Sequence, residues 1–263
     1  GLFGAIFTGF AGIAYFANAN DDFDFDVFRA HVERLRPTVV YYMYSGLSER
    51  GDARGGRDLA AFMARCRKQA ALTMADSHTL CGDPETLIAE GRPVLEYHLL
   101  EPLLPELDVF FTSWDEARMI RATLDGTEDR TLPLEKAVPD FLAWLVDRFA
   151  VGDRTQLLGV TVRDGAFAAY CTQDHTHVRR VVSPFQADGV VDLVGAGDAF
   201  RAGLIGYLAQ HTAPFRQGKL DVEEAVQVGN LMASTFIQAP LSDRYDGIPD
   251  MEQLVATVRE ARR

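Results

Sequence analysis

The residues best suited to chemistry lie together between Val190 and Gly203, in VVDLVGAGDAFRAG. Gly195 and Gly197 let the backbone turn tightly and approach a ligand without Cβ hindrance. The N–H groups of Gly195, Ala196, Gly197 and Asp198 can converge there on an anion. A helix start favours negative charge through its unpaired donors and its dipole. Asp198 places a carboxylate at the same point. Alone it reads as an ordinary helix N-cap. With the glycine turn it supplies the two parts that phosphoryl transfer from a nucleotide to an alcohol requires. One is a cradle for the charge of the moving group, and the other is an acceptor for the hydroxyl proton. A helix follows with Phe200, Leu204, Tyr207 and Leu208 on one face, and Gly203 within it marks a close packing contact.

Such a turn has to be held by a larger frame, and the pattern along the chain supplies one. Residues 38–44 (TVVYYMY), 71–75 (ALTMA) and 107–112 (LDVFFT) are strand-length apolar runs. Helical spacing occupies residues 55–69, 114–124 and 137–149 between and after them. Residues 156–162, 167–171 and 177–182 read as three strands separated by turn residues. Helices near 198–210, 222–238 and 251–262 close the chain. Strands alternating with helices imply a mostly parallel sheet covered on both faces. Ligands of such sheets gather outside the carboxyl ends of the strands, so Asp76, at the end of one strand, is a substrate-site candidate. The first twenty residues carry no charge and are punctuated by glycines. They are expected to form hairpin strands outside the main sheet.

Other constellations are weaker. Asp22, Asp24, Asp26 and Glu33 approach the spacing of a calcium loop, but Val27 stands where that loop needs glycine. Acids at the start of a helix explain the run better. His175 and His177 have no third ligand nearby in sequence. Ser77-His78 follows Asp76 without the G-x-S-x-G elbow of a hydrolase. Neither G-x-x-x-x-G-K-[ST] nor G-x-G-x-x-G opening a helix after the first strand is present.

The 263 residues carry a formal net charge of −12. That field repels phosphate backbones, so nucleic acid is not expected as a partner. It leaves room for a small phosphorylated ligand in a locally positive site. No segment has the features of a membrane span or a signal peptide. Three cysteines without metal or disulfide spacing point to a reducing, cytoplasmic setting.

The segment DLVGAGDAFRAG resembles the D-T-x-G-A-G-D-x-F-x-x-G signature of the ribokinase-like, or PfkB-type, carbohydrate and nucleoside kinases. Asp192, Gly195, Ala196, Gly197, Asp198, Phe200 and Gly203 match it, whereas Leu193 and Val194 depart from it. LDVFFTSWDEA is similar to a strand followed by N-x-x-E, with Glu116 in the Glu position and Ser113 in place of Asn. LLGVTVRDGAFAAY resembles a T-x-G-x-x-G strand. Thr161 and Gly165 fit, but Arg163 replaces a glycine and the spacing is one residue short. QVGNLMASTFIQAP is similar to a late helix carrying an Asn, here Asn230, and GIPDMEQL to the final loop and helix. The resemblance covers roughly residues 15–263.

The resemblance implies a three-layer α/β/α fold with a small β lid, built from residues 1–263 with about 1–20 contributing lid strands. It also implies that the N-terminal part of the family fold is missing, since the first strand and the G-G-x-x-x-N segment of the family have no counterpart here. The implied reaction moves the γ-phosphoryl group of ATP to a hydroxyl of a sugar or nucleoside. Asp198 would take the proton, and residues 195–198 would stabilise the developing charge. Glu116 would place Mg²⁺ through water. Asp192 would fix the loop or lie near a monovalent cation. Thr161, Gly165 and Asn230 would line the nucleotide, and Asn18, Asn20 or Asp76 would reach the substrate. A homodimer through the lid strands is a further expectation. A non-catalytic sugar- or nucleotide-binding relative of the same fold is the alternative.

Overall fold

The computed structural model describes residues 6–7, 25–43, 49–77, 84–126, 132–185, 189–242, 244–245 and 247–263. Seven strands form one sheet in chain order: β1 (Ile6–Phe7), β2 (Val39–Met43), β3 (Leu72–Asp76), β4 (Val109–Ser113), β5 (Gln156–Val162), β6 (Gly165–Cys171) and β7 (Thr176–Val182). Strands β2 to β5 are parallel, and each of the β1, β6 and β7 pairings is antiparallel. The parallel part is therefore the middle of a mixed sheet. Val162 pairs with Gly165, leaving only Arg163-Asp164 to connect β5 to β6. A two-residue connection closes an antiparallel hairpin, whereas a parallel pair needs a long crossover. Gly165 has φ 143°, and a Cβ there would lie 2.1 Å from the Val181 carbonyl oxygen. Only glycine fits that approach.

Ile6 and Phe7 join the main sheet opposite Tyr41 and Val40, whereas the sequence placed this region outside it. The remainder of residues 1–24, including Asn18 and Asn20, lies outside the described residues.

The helices divide between the two faces. Before and between the parallel strands come α1 (Phe25–Leu35), α2 (Glu49–Asp52), α3 (Arg57–Lys68), α4 (Pro84–Ala89), α5 (Leu100–Leu103), α6 (Trp114–Asp125) and α7 (Leu134–Phe149). After β7 come α8 (Ala196–Gln210), α9 (Thr212–Arg216), α10 (Val222–Gln238) and α11 (Met251–Ala261). Successive strand side chains point to opposite faces, and the cores follow that alternation. Val40, Ala75, Phe110 and Leu158 pack with α3, α6 and α7. Their neighbours Val39, Met74, Val109, Phe111 and Leu157 pack with α8, α10 and α11. Three layers, α/β/α, result.

Helix α8 lies close to α10. A Cβ on Gly203 would sit 2.9 Å from Met232 Cβ and 2.9 Å from the Val228 carbonyl, the tight packing anticipated for that glycine. On the other face, burial pushes the Cys66 thiol up to about 12, so it is a core side chain and not a nucleophile.

Candidate functional site

The carboxyl ends of the parallel strands form one rim. Met43 pairs with Asp76 across β2 and β3, and Ser113 with Thr161 across β4 and β5. The amino end of α8 comes to this rim from the second core. Phe200, the fifth residue of α8, packs against Phe111 of β4 with ring centroids 5.4 Å apart.

Gly195 is the N-cap of α8, with φ 88°, and no side chain caps the helix. Asp198 is thus the third residue of the helix and not its cap. Its side chain is 63% exposed. The Ala196 N–H is donated to the Leu193 carbonyl at 3.1 Å, so that donor is already used. The N–H groups of Gly197 and Asp198 belong to the first helical turn, where no carbonyl lies one turn earlier in the helix to receive them. An anion at this end would meet those donors and the positive end of the dipole.

Beneath this turn lies a buried charge network that sequence reasoning missed. Arg201 Nε is 2.7 Å from Asp76 Oδ2, and Arg201 Nη1 is 3.6 Å from Asp198 Oδ1. The Tyr41 hydroxyl donates to Asp76 Oδ2 at 2.7 Å. Asp76 is fully buried, and Arg201 is 9% exposed. Burial alone would push Arg201 towards neutrality. The carboxylates of Asp76, first, and of Glu116 and Asp198 outweigh it and hold the guanidinium above its ordinary value. Burial, and then the Asp76 carboxylate, raise the Tyr41 hydroxyl well above the usual range. Asp76 was expected to reach substrate. In the structure its carboxylate meets Arg201 and Tyr41 in the interior. A readable signal existed in the i, i+3 pair Asp198–Arg201, but the partner of Arg201 lies in another element.

Glu116 sits at the same rim, 3% exposed. Its Oε2 accepts from the Ser77 hydroxyl at 3.1 Å, the Thr112 hydroxyl at 2.9 Å and the Ser113 N–H at 2.9 Å. The Ser113 hydroxyl accepts the Glu116 N–H at 3.3 Å. Ser113-x-x-Glu116 is therefore a capping box that starts α6 directly from β4. Serine at position 113 does the capping that asparagine would do, so the departure from the N-x-x-E pattern leaves the glutamate in place. No group of three His, Cys, Asp or Glu side chains that could hold a metal occurs among the described residues.

The three nucleotide-side candidates lie along one seam. The Thr161 hydroxyl donates to the Thr112 carbonyl at 3.3 Å. Gly165 pairs with Val182. The Val182 carbonyl accepts from the Gln227 amide at 2.7 Å, and Gln227 in turn accepts from the Asn230 amide at 3.0 Å. Asn230, 8% exposed, is tied into this chain.

Asp192 Oδ1 accepts the Val194 N–H at 3.0 Å, and Arg244 Nη1 lies 3.3 Å from its Oδ2. The Val194 N–H and then Arg244 hold the Asp192 carboxyl below the usual carboxylate range. His175 just precedes the exposed edge strand β7 and His177 lies on it, with ring centroids 4.4 Å apart, away from the rim. One concavity of about 510 Å³ opens at the opposite, amino ends of the strands, between residues that include Arg67, Asp108 and Arg154. It holds none of the candidates. Among the described residues, no helix is long and apolar enough to cross a membrane.

Comparison with known proteins matches residues 98–245 to the model of the pfkB family carbohydrate kinases. A comparison with curated protein sequences gives no match. Among solved structures, a fructokinase from Xylella fastidiosa with bound ATP is similar at 17% identity and TM-score 0.62, covering 98% of this chain and 73% of that one. Aminoimidazole riboside kinase from Salmonella enterica, complexed with aminoimidazole riboside and an ATP analogue, is similar at 19% identity and TM-score 0.51. That match covers 84% of this chain and 63% of the other. A nucleoside kinase from Burkholderia thailandensis in complex with inosine is similar at 18% identity and TM-score 0.50, with coverages of 80% and 53%. The chain spans little more than half of the last and under two thirds of the second. At these identities the likeness establishes the fold.

Proposed function

The chain belongs to the pfkB family of carbohydrate kinases, and from that premise we propose that it transfers the γ-phosphoryl group of ATP to a hydroxyl of a sugar or nucleoside. The observation that carries the reading is an exposed Asp198 beside the open first turn of α8, above a buried arginine. The Xylella fructokinase holds ATP, and the Salmonella kinase holds a riboside beside an ATP analogue. Both support a nucleotide donor and a hydroxylated acceptor here.

In this mechanism the acceptor hydroxyl lies against Asp198. The Asp198 carboxylate takes the hydroxyl proton as the oxygen bonds to the γ-phosphorus. The bond from that phosphorus to the β,γ-bridging oxygen breaks, and ADP leaves with the electron pair. The N–H groups of Gly197 and Asp198 face the phosphoryl oxygens, fixed before reaction and therefore without reorganisation cost. Arg201 sets the position of the Asp198 carboxylate and adds positive charge under the turn. Glu116 would hold Mg²⁺ through water, and the ion would neutralise charge on the phosphates. Thr161, Gly165 and Asn230 line the nucleotide.

The test measures ADP formation by the full chain with Mg²⁺ and ATP across a panel of sugars and nucleosides. At least one acceptor should drive turnover. Asp198→Asn should lower kcat by about 10²–10⁴, the range of general base catalysis, while ATP still raises the Tm. Full activity in Asp198→Asn refutes the proton-acceptor role. A Tm rise with ATP but no turnover with any acceptor makes the chain a nucleotide-binding relative.

A further inference from the structure

The fold family and the resemblance of DLVGAGD point to a monovalent cation near Asp192, and the structure puts a side chain of this protein there instead. Arg244 Nη1 lies 3.3 Å from Asp192 Oδ2 and 3.4 Å from the Val194 carbonyl oxygen, and Nη2 lies 3.4 Å from the same carboxylate oxygen. The guanidinium carbon stands 4.6 Å from the Phe236 ring centroid, a cation–π distance. Arg244 is 8% exposed. A carboxylate and a backbone carbonyl turned to one point are hard oxygen donors of the kind that hold a cation. Here a fixed cation already occupies that point, and a second positive charge would be repelled by it.

The arrangement bears on the anion-binding turn. The Val191 and Asp192 N–H groups both donate to the Ile237 carbonyl, at 2.9 and 3.3 Å. Asp192 Oδ1 accepts the Val194 N–H. A Cβ on Gly195 would lie 2.9 Å from Phe236, so the ring that carries Arg244 also backs the cap of α8. Loop 191–195, the end of α10 and Arg244 form one packed unit.

We infer that Arg244 is a built-in replacement for a monovalent cation, fixing the loop before α8 so that this protein needs neither K⁺ nor Na⁺. The inference concerns regulation of the kinase site proposed above and rests on that reading. Its charge is permanent, because an arginine stays protonated at any working pH, so the loop is set independently of the ionic medium.

The test has two readouts, one of which needs no turnover. Melting of the full chain, with and without ATP, is compared in KCl, NaCl and choline chloride at equal ionic strength. The wild type should melt at the same temperature in all three. Arg244→Gln should melt lower in choline and recover in K⁺ or Na⁺, whereas Arg244→Lys, which keeps the charge, should not respond to the cation. With any acceptor that supports turnover, wild-type kcat should be equal in K⁺ and choline, and Arg244→Gln should become several-fold activated by K⁺. A K⁺-specific rise in wild-type Tm or kcat overturns the inference. So does a folded Arg244→Gln without cation response. If Arg244→Gln does not fold, the wild-type comparison and Arg244→Lys decide alone. Failure of every acceptor, with the predicted melting behaviour intact, rejects the kinase reading and supports the cation replacement.

Discussion

Replacing Arg201 by methionine tests whether the charge under the α8 turn is organised as described. The substitution keeps an unbranched apolar stem in the helix and deletes only the guanidinium. At the 2.7 Å separation of Arg201 and Asp76, an effective dielectric of about 20 gives an attraction of about 6 kcal/mol. Desolvation of several kcal/mol per ion offsets most of it, so the intact pair adds little net stability. The single variant is different, because Asp76 is left fully buried without the cation that faces it, while the Tyr41 hydroxyl still donates to it. Breaking one side of a buried pair costs about 3–5 kcal/mol, a large share of the ~5–15 kcal/mol available to a folded domain. Asp76→Asn/Arg201→Met removes both charges and leaves an acceptor for Tyr41. It should regain about 2 kcal/mol or more over Arg201→Met, a coupling normal for contacting groups. Urea denaturation of wild type, Arg201→Met, Asp76→Asn and the double variant at pH 7 measures this. An Arg201→Met loss below about 1 kcal/mol at pH 7, or a double variant no better than the single, would refute the network.

Two further outcomes follow from other contacts. Gly195→Ala would force a Cβ at φ 88°, 2.9 Å from Phe236. It should cost about 1–3 kcal/mol by urea denaturation and weaken the Tm rise given by ATP. Unchanged ATP response would separate the cap from the anion site. Glu224 is buried at the start of α10, where burial raises its carboxyl. The donors Arg259, at 2.9 Å, and Tyr207, at 2.9 Å, outweigh burial and leave its pKa lowered. A depressed carboxyl pKa stabilises above the unfolded value, about 4.3, and that gain is lost as pH falls through the folded value. Glu224→Gln should therefore destabilise at pH 7, and its difference from wild type should shrink below about pH 4. A pH-independent difference counts against the assignment.

What the sequence made legible depended on distance along the chain. Residues 156–162 and 222–238 showed their period and became β5 and α10 with the same ends. Tyr97, Leu100, Leu103, Leu104 and Leu107 are buried at helical intervals, but Pro102 and Pro105 obscured that period, and this helical run went unread. Ser113-x-x-Glu116 is a local signature, visible as serine followed by glutamate three residues on. Asp76 and Arg201 are different, because no local pattern links the end of β3 to the second turn of α8. Their contact exists only once β2, β3 and β4 are laid side by side and α8 is packed across them. The same holds for Asp192 and Arg244, 52 residues apart. Of the candidate site, the acids and glycines were legible, and the cations that hold them were not.

That division has a physical origin. Acids and glycines at the rim are constrained by local geometry: a helix start, a strand end, a tight turn. The residues that neutralise the acids need only reach them, and arginine reaches far on a flexible stem with a planar head. Arg201 arrives from within α8 and Arg244 from the segment after α10. Each touches one acid of the DLVGAGD stretch, Asp198 and Asp192 respectively, so both ends of the turn are held by side chains of this chain. Under this arrangement, salt should screen the exposed Asp198 contact and leave the packed Arg244 contact nearly unchanged. The ionic-strength dependence of turnover should therefore be weaker in Arg201→Met than in Arg244→Lys, and the reverse pattern would reject the separate roles assigned to the two arginines.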